Sequence, residues 1–99
     1  AAAYVPLISM SLFQALTKIK EQAIPVIGVE VGLGTDYAKQ KLTGPVVLVF
    51  GGEAAGLSEL LKKYCDLFVH IPMVKEAASL NVSVAVALVC FEKIRQERA

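Results

Sequence analysis

The chain has 99 residues, 56% of them hydrophobic, a mean hydropathy of +0.60, and ten Lys/Arg set against nine Asp/Glu. That length allows one domain at most, and a net charge of +1 gives no electrostatic footprint from which nucleic-acid binding could be read. The apolar excess is more than a small monomer hides easily, so an oligomer, or a chain lacking a further part of its domain, is expected.

The longest nearly apolar stretch, Leu80 to Phe91, is interrupted by Asn81 and Ser83. It falls short of the roughly 20 residues of a membrane span, so a soluble protein with no membrane partner is expected. No basic segment with a cleavage site opens the chain, and Ala1-Ala2-Ala3 reads as the interior of something longer. Cys65 and Cys90 have neither CxxC nor metal-ligand spacing, which fits reduced thiols in a cytoplasmic protein, buried as small core residues, and no metal. The basic clusters Lys18/Lys20, Lys39/Lys41, Lys62/Lys63 and Lys93/Arg95/Arg98 read as solvated faces.

In chain order, Ser11 and Gln14 have capping-box spacing, and Leu12, Leu16, Ile19 and Ala23 share one helical face, predicting a helix that ends before Pro25. Pro25 to Val31 is a mostly β-branched run closed by Gly32-Leu33-Gly34, and Pro45 introduces an apolar run from Val46 to Phe50. Both read as buried parallel strands. Between them the polar Thr35 to Leu42 is expected to form a short helix. Leu57, Leu60, Leu61 and Tyr64 mark another by their spacing, and Leu67 to Ile71 is a third strand. This alternation predicts an α/β layer structure with a parallel sheet flanked by helices, binding ligands outside the carboxyl ends of its strands.

The last segment is ambiguous by propensity, because Val82, Val84, Val86 and Val89 favour a strand. Its continuation through Phe91, Glu92, Lys93, Ile94 and Arg95 is helix-like and exceeds ordinary strand length. As a helix it is apolar on nearly every side until Glu92, and burial all round would need a partner chain. His70, at a strand end without a carboxylate or metal partner, reads as structural.

Gly51 and Gly52 follow a buried strand and let the backbone turn and approach a ligand, and Gly56 can do the same before the next helix. Pro72 stiffens a second strand exit. Ser79 and Asn81 then place a hydroxyl and an amide near a helix start, where a plain cap is the competing reading.

Together these segments resemble the SpoU-type (TrmH-like) RNA ribose 2′-O-methyltransferases of the α/β-knot superfamily. The family's second motif, similar to Gly-Asn-Glu-Gly-x-Gly-Leu, is met by Gly51, Glu53, Gly56 and Leu57. Its third, similar to Ile-Pro-Met-x-Gly-x-x-x-Ser-Leu-Asn-Val-Ser, is met by Ile71, Pro72, Met73, Ser79, Leu80, Asn81, Val82 and Ser83. The likeness covers essentially the whole chain as a partial methyltransferase domain, 1–99. It implies a deep trefoil knot, a homodimer with the C-terminal helix at its interface, and methyl transfer from S-adenosylmethionine to a ribose hydroxyl of tRNA or rRNA.

By the same resemblance the cofactor lies among three loops, on Val31, Gly32, Gly51, Gly52, Glu53, Gly56, Ile71, Pro72, Met73, Ser79, Leu80 and Asn81. Ser79 and Asn81 orient the methionine portion and the target ribose, and Glu53 braces its loop or pairs with an arginine. That arginine and an asparagine belong to a first motif preceding the position that matches Ala1, so the segment alone is expected to be inactive. Gly52 and Ala54 replace an asparagine and a glycine of the second motif, and Lys75 stands where the third has glycine. Lys75 either crowds the cofactor or points towards RNA phosphate. A non-catalytic knot domain that dimerises or binds RNA is the alternative, and a generic doubly wound nucleotide-binding fragment is a third.

Overall fold

The runs Val26–Val29, Val47–Phe50 and Leu67–His70 become adjacent strands of one sheet in the computed structural model, which describes residues 12–51, 57–72 and 82–99. The elements are α1 (Leu12–Glu21), β1 (Val26–Val29), β2 (Thr35–Asp36), β3 (Val47–Phe50), α2 (Glu59–Lys62), β4 (Leu67–His70) and α3 (Val82–Arg98). The strand order is β2-β4-β1-β3, and every pairing is parallel, as the alternation of strand and helix patterns predicts. Val29 stands beside both Phe50 and Val69, which levels the carboxyl ends of the three longer strands.

Side chains alternate across a strand, and this puts Ile27, Val29, Leu48, Phe50, Leu67 and Val69 on one face. That face carries the main core. Ile27, Leu42, Val69 and Val89 are buried together, and Val89 brings α3 onto the sheet. Burial of each such aliphatic side chain contributes roughly 1.5–3 kcal/mol. On the opposite face Val26 is fully buried, and Gly28 makes room for its neighbours: a Cβ there would lie 2.8 Å from the Phe68 ring and 2.9 Å from Cys65 Sγ.

Several local expectations are corrected. α1 ends in a Schellman turn, with the Ala23 amide donating to the Lys20 carbonyl at 3.0 Å and the Ile24 amide to the Ile19 carbonyl at 3.4 Å. Ala23 sits at φ 58°, so it lies past the helix and not on its apolar face. The helix expected over Thr35 to Leu42 is replaced by β2 and a turn. Thr35 and Asp36 pair with Val69 and His70, and the Tyr37 amide continues the ladder to the His70 carbonyl at 2.9 Å. The Asp36 carboxylate accepts from the Ala38 amide at 2.9 Å, the side-chain capture by which aspartate competes with helical bonding. α2 is a single turn whose N-cap, Ser58, accepts from the Leu61 amide. Leu57 is buried but Leu60 is exposed, so their spacing does not define a uniform inward face.

The final segment is a helix of 17 residues, against its strand propensity. Within one chain it is not buried all round. Val89 is its buried residue among the described ones, while Val84, Leu88, Phe91 and Ile94 are exposed, Phe91 by 71%. Lys93 is the further correction, because its side chain is only 12% exposed and not solvated. Its amine donates to the carbonyls of Leu42 at 3.0 Å and Gly44 at 2.6 Å, beside Glu97. Gln96 adds a pair of bonds, donating to the Gln40 carbonyl and accepting from the Leu42 amide, so α3 is clamped to residues 40–44. No helix among the described residues is long and apolar enough to cross a membrane.

Candidate functional site

β1 and β2 are consecutive in sequence, yet β4 lies between them. Residues 30–34 therefore cross over β4 near its carboxyl end, and the backbone is held to it closely. The Glu30 amide donates to the Val69 carbonyl at 3.0 Å, and His70 Nδ1–H donates to the Leu33 carbonyl at 3.1 Å. Gly34 lies against the Phe68 carbonyl, which a Cβ would overlap, and adopts φ 72°, a conformation that glycine takes without steric cost. His70 thus serves as a tether for the crossing, in keeping with its structural reading.

Neighbouring strands lie about 4.8 Å apart, so the exits of β4, β1 and β3 fall within roughly 10 Å of one another. This is the edge where open parallel α/β sheets bind ligands. Of the residues that the sequence nominates, the structure brings Val31, Gly32, Gly51, Ile71 and Pro72 to this edge. Val31 is 65% exposed, and Leu33 beside it is also open to solvent. Gly32 has φ 72° and open space where a Cβ would stand, so its backbone can be approached. Gly51 and Ile71 are half-buried. Gly52, Glu53, Gly56, Met73, Lys75, Ser79, Leu80 and Asn81 lie outside the described residues.

Sequence reasoning missed Glu30. Its Oε1 accepts from the Val31 amide at 3.1 Å and its Oε2 from the Leu57 amide at 2.9 Å, with Lys62 Nζ 3.9 Å from Oε2. The signal was a lone acid inside the β-branched run Pro25 to Val31, which an exposed loop residue would not explain. At the amino edge of the sheet a second carboxylate does comparable work. Asp66 accepts from the Val26 amide at 2.7 Å and from Lys20 Nζ at 2.8 Å, and these contacts, Lys20 first, hold its carboxyl below the usual range. Burial pushes the Cys65 thiol up, consistent with an unreactive packing residue. Among the described residues no cluster of His, Cys, Asp and Glu could hold a metal ion.

Residues 1–91 match the model of the SpoU rRNA Methylase family. The chain is 35% identical over 99 residues to the 23S rRNA (guanosine-2′-O-)-methyltransferase RlmB of Pseudomonas putida, covering 99% of this chain and 40% of that relative. Among solved structures it is similar to an RNA 2′-O ribose methyltransferase, with a TM-score of 0.83 at 28% identity over 99% of this chain and 45% of the other. The SpoU methyltransferase AviRb from Streptomyces viridochromogenes, in complex with AdoMet, gives a TM-score of 0.80 at 29% identity over 88% of this chain and 36% of the other. The chain thus spans less than half the length of these relatives.

Proposed function

Because the chain belongs to the SpoU rRNA Methylase family, we propose that it builds the S-adenosylmethionine site of an enzyme that methylates a ribose 2′-hydroxyl of rRNA or tRNA in the cytoplasm. The observation that carries this is the meeting of three strand exits at one edge of the sheet, at Val31, Gly51 and Ile71. The residues there fit the cofactor. Exposed Val31 and Leu33 offer apolar surface to a purine ring, and the open backbone at Gly32 allows close hydrogen bonding to its edges.

When bound, S-adenosylmethionine supplies the methyl group. Transfer to a hydroxyl needs an in-line approach and help with a weakly acidic proton, so the protein's task is chiefly orientation. Gly51 and Pro72 open and stiffen two of the exits. Ser79 and Asn81 orient the methionine portion and the ribose, and Glu53 braces its loop.

The same reading pairs two copies through α3. Val84, Leu88, Phe91 and Ile94 are exposed on a helix whose composition suits burial, and a second copy would cover them. It also has the final segment thread a loop of the chain as a knot. The crossing of residues 30–34 over β4 supports that topology.

Calorimetric titration of the folded chain with S-adenosylmethionine tests the assignment. Saturable binding of one cofactor per chain is expected. Failure of the native chain to bind, with binding restored in Lys75→Gly, would support a non-catalytic module instead, and failure of both would sink the cofactor site.

A further inference from the structure

We infer that Glu30 is a positioning residue that clasps two cofactor loops together, so that S-adenosylmethionine affinity depends on its carboxylate bridging the exit of β1 and the return of the chain at Leu57. The inference rests on the proposed cofactor site. Its physical basis is the use of both oxygens: Oε1 accepts from the Val31 amide and Oε2 from the Leu57 amide. The side chain is only 14% exposed, and a carboxylate so withdrawn from water is sustained only by such partners. Lys62 Nζ, 3.9 Å from Oε2, adds a compensating charge.

The backbone of Glu30 is fixed as well, since its amide donates to the Val69 carbonyl of β4. Val31 follows it directly and is exposed, while Leu57 is buried. One side chain therefore ties the exit of β1 to Leu57, across a gap that no ladder bond among the described residues spans. Glutamine has the same shape but a single acceptor oxygen, and its amide group would face one backbone N–H with another donor. An isosteric change thus leaves one of the two amides without its acceptor and weakens the tie to Leu57 while keeping the packing intact.

Asp66 supplies the control, because it also accepts from a backbone amide and a lysine but at the far edge of the sheet. The experiment compares Glu30→Gln and Asp66→Asn with the native chain by thermal unfolding and by calorimetric titration with S-adenosylmethionine. Both variants are expected to melt earlier, but Glu30→Gln should weaken cofactor binding about tenfold while Asp66→Asn stays within about twofold. Amide exchange at Leu57 should quicken in Glu30→Gln alone. If Glu30→Gln does not fold, Glu30→Asp, which keeps both oxygens on a shorter arm, should show the same selective loss. Unchanged affinity in a folded Glu30 variant, or equal weakening by Asp66→Asn, overturns the inference and leaves the cofactor site standing. Absence of binding by the native chain would instead overturn the cofactor site, and the inference with it.

Discussion

Gly32 and Gly34 share a φ of 72°, so replacing each by alanine separates backbone strain from steric collision. A Cβ on Gly32 meets nothing within 4 Å. Gly32→Ala should therefore carry the left-handed penalty of ~1–2 kcal/mol, partly offset by ~0.4–1 kcal/mol from a stiffer unfolded chain. On Gly34 the same atom overlaps the Phe68 carbonyl, and residues 30–34 must lift away from β4. Lifting breaks the bonds of Glu30 to Val69, His70 to Leu33 and Tyr37 to His70, at ~0.5–1.5 kcal/mol each. The total cost of Gly34→Ala is then about 2–6 kcal/mol, a large share of the ~5–15 kcal/mol by which domains are stable. Urea denaturation followed by circular dichroism measures both, with amide exchange at Glu30 and Tyr37 locating the damage. Equal losses for the two variants would refute the close packing of the crossing on β4.

Ala23→Gly relieves a left-handed alanine at the end of α1 and should stabilise the chain by about 0.5–1 kcal/mol, raising Tm by roughly 2–8 °C. An unchanged or lower Tm would contradict the Schellman geometry. Phe91→Glu places a charge on the exposed face of α3 and should shift sedimentation towards monomer, whereas a face that meets only water would leave the distribution as it was. Asp66 has a lowered folded pKa, so the unfolded chain binds its proton first as pH falls. Its contribution is present in full above the ordinary aspartate value of 3.8 and is lost as the pH falls from there through the lowered folded value. Asp66→Asn should flatten that part of the acid-unfolding curve; Glu92, held at about 2 by Arg95 and then Gln96, keeps its own contribution.

Elements defined by their own residues were legible in the sequence. The β-branched runs became β1, β3 and β4, and the length of the last segment outweighed its valines. Features defined by distant partners were not. β2 is only Thr35–Asp36, and what makes it a strand is Val69 and His70, far along the chain. Lys93 reads as a surface cation beside Arg95 and Arg98, but the carbonyls of Leu42 and Gly44 draw it inward. Glu30 is similar: its place in the run is visible, yet its role depends on where Leu57 returns. The strand exits at Val31, Gly51 and Ile71 were foreseeable because parallel sheets place ligand loops there, whereas the arrangement at Glu53, Ser79 and Asn81 lies outside the described residues.

The interposition of β4 between β1 and β2 also constrains the order of events in folding. A ribosome delivers β1, β2 and β3 before β4, so the partner that β2 has among the described residues is missing until residues 67–70 have emerged. β1 and β3 can join earlier, across a shorter separation in sequence. The contacts of residues 30–34 with Val69 and His70 must then form together with the insertion of β4. The edge proposed for the cofactor is therefore assembled late, and cofactor binding during refolding, if the proposal holds, would time the completion of the sheet.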